Sequence, residues 1–226
     1  MGWFRGDDVP EKRSFACVGL GNFGSTVAQE LVRFGNDVIG IDKQQKVADR
    51  YADDLTQVMI ADARDEDALK DCGLADCDAA LISLGQDIEA SVLAAMNVKL
   101  IGIETVWAKA VSRTHHRILT RLGADRVIRP DDEVGRSVAQ ALHNPLVRDF
   151  VSLGNGFHMV NAKIPESLED TQLAGLSLQE KFGITCLGVM RGQEYIAPDR
   201  EATLNSDDQL LLLGMRNDLR DFAESL

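Results

Sequence analysis

Six consecutive residues, Gly19-Leu20-Gly21-Asn22-Phe23-Gly24, have the spacing G-x-G-x-x-G. In that spacing the first glycine permits a tight turn and the second lets backbone approach a phosphate, while the third lets a helix pack closely on a strand. The chemistry is anion binding, because a helix N-terminus offers free N–H groups and positive potential. The spacing alone is weak evidence. Here an apolar run over 14–18 reads as a buried strand directly before it, and Val27, Leu31 and Phe34 recur at helical spacing directly after it. A glycine turn that serves only packing is the competing reading. The agreement of strand, loop and helix weighs against it.

The other candidates stand at the ends of later apolar runs. Asp42, followed by Lys43, closes the run over 38–41. A carboxylate there accepts ribose hydroxyls and repels a 2′-phosphate, which disfavours NADP. Asp62, between Ala61 and Ala63, ends the third run and either contacts adenine or caps the next helix. Ser83-Leu84-Gly85 ends the fourth, where ligands sit at the switch point of such sheets. Lys109 ends the fifth and either reaches a phosphate or is a surface lysine. Asp131 reads, by itself, as a helix N-cap.

These residues need an alternating frame to hold them. Strands are predicted over 14–18, 38–41, 57–61, 79–83, 105–110 and 126–128. Helices are predicted over 44–52, 65–70, 113–122 and 131–142, with a further one behind Asp87 as N-cap. The stretch 98–103 fits helix and strand equally. Repeated β-α units of this length imply an α/β, Rossmann-like, doubly wound parallel sheet. Beyond Asn144-Pro145 the pattern changes. Residues 146–155 read as a connecting helix and a Gly-Asn-Gly turn. Strands over 157–164, 185–191 and 209–215, with helices over 176–182 and 218–223, make a small α+β C-terminal domain. The expected organisation is a polar tail (1–13), a nucleotide-binding domain (14–143), a crossover (144–155) and the small domain (156–226).

Composition removes several classes. Lys and Arg number 24 against 36 Asp and Glu, a net charge of −12, which argues against nucleic acid as a partner. Mean hydropathy is −0.11, and no apolar run reaches the roughly 18–20 residues that span a bilayer. Residues 1–10 are polar, so neither a membrane span nor a secretory leader is expected. The four cysteines form no CxxC pair and read as reduced, mostly buried thiols of a cytoplasmic protein. The four histidines lack metal-ligand spacing. No second domain supplies a His/Asp or Ser/Lys set, so catalysis is not expected, and fold alone does not supply it. Leu142, Leu146, Val147 and Phe150 around the crossover call for cover, which points to an oligomer.

The run FACVGLGNFGSTVAQEL, followed by VIGIDK, IADA, ISLG, VWAKA, LGADRVIRPDDEVG and NPLVRDF, resembles an RCK (regulator of K⁺ conductance) domain, and TLNSDDQLLLLG is similar to part of the small C-terminal RCK domain. The similarity is greatest to KtrA-type cytosolic subunits of Ktr potassium-uptake systems, relatives of TrkA, and spans nearly the whole chain. It implies a ring, an octamer of paired dimers, docked under a membrane K⁺ channel-like subunit of the KtrB or TrkH type. ATP against ADP in the N-domain changes the ring shape, which gates ion flux. Members carry an arginine at the position of Asn22 that reaches the ATP γ-phosphate. An amide cannot neutralise phosphate as a guanidinium does, so AMP, ADP and NAD(H) join ATP as expected ligands. The resemblance also matches Asp131, one methylene short, to a carboxylate near the γ-phosphate and a metal, Mg²⁺ or another cation. Two alternatives remain: a small NAD-dependent oxidoreductase and a free-standing nucleotide sensor.

Overall fold

A computed structural model describes residues 12–144, 146–198 and 202–226. The chain divides between Asp131 and Asp132 into two compact units.

The first unit alternates β1 (Ser14–Val18), α1 (Asn22–Arg33), β2 (Asp37–Asp42), α2 (Gln45–Tyr51), β3 (Gln57–Ile60), α3 (Glu66–Asp71), β4 (Ala79–Ile82), α4 (Ile88–Ile101), β5 (Thr105–Lys109), α5 (Arg113–Arg121) and β6 (Arg126–Ile128). The six strands pair in the order β3-β2-β1-β4-β5-β6, all parallel. This is the doubly wound arrangement that the alternation predicts. Central strands β1 and β4 are nearly continuous apolar runs because helices cover both faces: Ala16, Cys17, Val18 and Ile82 are fully buried. The chain reverses its winding between β1 and β4, which opens a crevice at their C-terminal ends. The ambiguous stretch 98–103 resolves as helix through Ile101. Gly102 takes φ 103° and ends it, with the Ile103 N–H donating to the Val98 carbonyl (3.4 Å).

Helix α6 (Pro130–His143) crosses the boundary between the units. It begins one residue earlier than predicted, so Asp131 lies inside the first turn and is not the N-cap. Proline fits the first position because its missing N–H would have no helical partner there. The second unit continues with β7 (Val147–Gly154), β8 (Phe157–Lys163), α7 (Leu178–Phe182), β9 (Thr185–Arg191), β10 (Glu194–Ile196), β11 (Gln209–Met215) and α8 (Arg216–Glu224). Its antiparallel sheet has the order β10-β9-β11-β8-β7.

The connecting helix expected within 146–155, ahead of the Gly-Asn-Gly turn, is a strand, while the turn forms where it was expected. The spacing of Leu146, Val147 and Phe150 suits either structure. Pairing decides the outcome: Phe150 lies opposite Val160 and Gly154 opposite Phe157. The hairpin between them places Gly154, Asn155 and Gly156 all at positive φ (87°, 50° and 82°). The core of this unit gathers Val160, Ile184, Val189, Leu204, Leu210, Leu212 and Phe222.

Cys17, Cys72 and Cys77 are buried and free, and Cys186 is free and half-buried. Burial pushes the Cys17 thiol up to about 12 and Cys77 to about 11, so neither is a nucleophile near neutral pH.

Candidate functional site

The glycine loop folds as its spacing predicts. Gly19 takes φ 94° and donates its N–H to the Ile41 carbonyl (2.7 Å), which pins the loop to β2. A Cβ on Gly24 would lie 2.0 Å from the Gly19 carbonyl oxygen, so this glycine lets α1 lie against the turn. Gly21 differs: a Cβ there meets nothing within 4 Å. It occupies the N-cap position of α1 without a side-chain cap, and the first turn holds no acid. The helix start is left open for an external anion.

Asp42 is built into the same loop. One carboxylate oxygen accepts the Leu20 N–H (3.0 Å) and the other accepts the Gln44 N–H (2.9 Å). Each oxygen keeps a further lone pair for a ligand hydroxyl. Asp62 is engaged by Arg64 through Nε (3.0 Å) and Nη2 (2.5 Å). That hydrogen bonding holds its carboxyl down at about 2. The buried Asn97 of α4 braces this loop, donating to the carbonyls of Ala63 (3.1 Å) and Arg64 (3.0 Å). Lys43 stands 3.6 Å from Asp87, and Lys109 stands 3.1 Å from Asp131. Asp87 also caps α4 through the Ala90 N–H (3.0 Å), and that bond first, with Lys43 second, lowers its carboxyl below the usual range.

These groups surround a crevice of about 420 Å³ at the C-terminal ends of the strands, a volume suited to a nucleotide-sized ligand. Gly21, Asn22, Phe23, Asp42, Lys43, Asp62, Ala63, Leu84, Gly85, Lys109 and Asp131 all line it. Gly19 and Gly24 do not; they shape the turn beneath. Sequence reasoning passed over Asp87, Arg64 and Asn97 as site residues. Asp87 was legible only as a cap. Arg64 had a signal in its two-residue spacing from Asp62, and Asn97 in being an amide within the apolar pattern of α4.

The arrangement offers a helix N-terminus, a strand-end carboxylate at Asp42 and two lysines. The described lining holds no His, Cys or Tyr, and Ser83 supplies its one hydroxyl. No group of three or more His, Cys, Asp or Glu is placed to hold a metal ion among the described residues. Asp131 is a single carboxylate already facing a lysine, which by itself does not fit a cation site.

Residues 15–130 match the TrkA-N domain family and residues 159–226 match the TrkA-C domain family. The chain belongs to the TrkA-N/TrkA-C family. Among its relatives, Ktr system potassium uptake protein A of Vibrio alginolyticus is 33% identical over 215 residues, covering 95% of this chain and 98% of that protein. Protein A of the Bacillus subtilis Ktr system is 29% identical over 213 residues, covering 94% of this chain and 96% of its own length. The GsuK RCK domain has the same fold, with a TM-score of 0.65 at 14% identity, over 96% of this chain and 48% of that one. The GsuK channel bound to NAD aligns with a TM-score of 0.66 at 14% identity, over 94% of this chain and 39% of that one. This TrkA-N/TrkA-C chain therefore spans half or less of the GsuK chains. The RCK resemblance read from GLGNFG, VIGIDK and the later motifs is borne out.

Proposed function

We propose that the chain is the nucleotide-binding regulatory subunit of a Ktr-type K⁺ uptake system and is not an enzyme. The observation that carries this is the coupling of Asp42 to the glycine loop: one carboxylate holds the Leu20 N–H while facing the crevice. Relationship to Ktr proteins over almost the full chain supports the role. The described lining offers no His, Cys or Tyr, and the ion pairs Lys43–Asp87 and Lys109–Asp131 occupy its two lysines, which favours regulation over the oxidoreductase reading.

In this reading an adenine nucleotide lies with its ribose on Asp42 and its phosphates over Gly21 and Asn22 toward Lys109. Its base lies near Asp62 and Ala63. ATP and ADP are the expected ligands, with AMP and NAD(H) in the same chemical class; GsuK, of like fold, binds NAD. The arrangement gives no support of its own to a bound Mg²⁺. The working assembly is a ring of eight on the cytoplasmic face of a KtrB- or TrkH-type membrane subunit. The exposed Val134, Val138 and Leu142 of α6 are surface that such an assembly would cover. Reconstitution of the chain with a Ktr membrane subunit in K⁺-loaded vesicles tests the role. Flux should respond to the nucleotide supplied and lose that response when the chain is omitted. Hydride transfer to or from NAD(H) by the purified chain would contradict it.

Position 22 sets the nucleotide preference. Asn22 lines the crevice at the phosphate end and carries no charge. Asn22→Arg should raise the preference for ATP over ADP about tenfold to hundredfold, the scale of one charge-assisted hydrogen bond. Calorimetry with both nucleotides in EDTA reads the ratio directly. An unchanged ratio would remove position 22 from γ-phosphate recognition.

A further inference from the structure

Three elements meet on the ammonium of Lys109. Only 18% of its side chain is exposed. The stem passes Gly85, where an added Cβ would come within 3.7 Å of Cδ and 3.8 Å of Cε. The ammonium lies 5.5 Å from the centre of the Phe23 ring in the glycine loop. Its ionic partner is Asp131 in the first turn of α6, whose side chain is 79% exposed. The cation is therefore held in a slot, while the anion on it stands in water and can leave.

We infer that Asp131 is a built-in competitor for phosphate: the nucleotide's phosphate and the Asp131 carboxylate contend for the ammonium of Lys109. The inference rests on the crevice taking an adenine nucleotide. A phosphate that reaches Lys109 stands within a few ångströms of the carboxylate already there, and two anions so placed repel each other. The uncharged Asn22 does not offset that repulsion. Lys43, which also lines the crevice, already faces Asp87, and Arg64 faces Asp62. Adenosine brings no phosphate and leaves the Lys109–Asp131 pair intact. ADP or ATP displaces Asp131 and unties the first turn of α6 from β5. Because α6 carries the chain across the boundary between the two compact units, the phosphate state of the ligand is registered at that joint.

Calorimetry in EDTA with adenosine and ADP, on the full chain, tests this. Asp131→Asn should tighten ADP about two- to fivefold, the scale of an exposed ion pair, and leave adenosine unchanged. Lys109→Met should weaken ADP, leave adenosine unchanged, and abolish the gain from Asp131→Asn in the double variant. Unchanged or weaker ADP binding by Asp131→Asn, with adenosine binding intact, overturns the inference and leaves the nucleotide reading standing. If neither ligand binds the wild-type chain, the nucleotide reading falls and takes the inference with it. Hydrogen exchange on the wild-type chain needs no variant. ADP, unlike adenosine, should speed exchange of the amides at 133–135, which bond back to the carbonyls that open α6, and slower or unchanged exchange there overturns the proposal.

Discussion

Gly24→Ala should destabilise the first unit by about 3 kcal/mol or more and abolish nucleotide binding, whereas Gly21→Ala should weaken binding and spare the fold. The new methyl at Gly24 would sit 2.0 Å from the Gly19 carbonyl oxygen and 3.1 Å from Ser83 Cβ. The nearer atom is backbone and cannot rotate aside, so α1 must lift off the turn that positions its N-terminus. The helix propensity gained by replacing glycine with alanine, about 1 kcal/mol, is too small to offset this. At Gly21 the backbone is already in a region open to alanine (φ −66°, ψ 179°), and the methyl meets nothing. It projects where a phosphate would approach, and loss of about one hydrogen bond there weakens ADP roughly tenfold. Urea denaturation of both variants, beside calorimetry with ADP, separates the two glycines. A Gly24→Ala chain as stable as wild type would show that α1 does not lie on the loop as described.

The second large effect lies in the C-terminal unit. Asp208 is fully buried and accepts Nε and Nη2 of Arg191 at 2.8 and 2.7 Å, together with the Asn205 N–H at 2.9 Å. Arg191 also donates to the Thr203 carbonyl (2.8 Å), so one carboxylate ties the turn before β11 to β9. Asp208→Ala strands the Asn205 N–H and the guanidinium. The expected loss is about 3 kcal/mol, at the low end for a broken buried pair, because Arg191 is partly exposed and turns to water. The pH dependence has a definite sign. The bonds from Arg191 hold the Asp208 carboxyl below its ordinary value, so its stabilisation is present above the unfolded carboxyl value of about 3.9 and is lost as pH falls through the folded value. The stability gap between wild type and Asp208→Ala should narrow as pH drops below about 4. A gap that stays constant from neutral pH into that range would show that the carboxylate charge contributes nothing.

Much of the site was legible because single residues carry local constraints. GLGNFG between an apolar run and a helical period admits few conformations, and Asp42 and Lys109 fall at strand ends that the apolar runs define. Strands β9 and β11 were equally plain, being apolar and bounded by turn residues. What stayed hidden depends on partners distant in sequence. Residues 146–155 carry a spacing compatible with helix, and only pairing with β8 makes them strand. Asp62 is a local exception: it could cap a helix or face adenine, but Asp65 caps α3 by accepting the Asp67 and Ala68 N–H groups, and Arg64, two residues on, holds the Asp62 carboxylate. Asn97 is an amide within the apolar pattern of α4, and only the loop it braces, 34 and 33 residues earlier, gives it a role. Asp131 misled as an N-cap because Pro130 already begins the helix, so its role is set by Lys109 across the crevice.

In the proposed complex a nucleotide sits on the glycine loop with its ribose on Asp42. Titration calorimetry of ATP, ADP and NAD into the wild-type chain and Asp42→Ala tests it most directly. All three ligands share the adenosine ribose, so all should lose affinity together, by about tenfold to hundredfold for a lost charge-assisted hydrogen bond. Affinities for all three that are the same in Asp42→Ala and wild type would contradict the account.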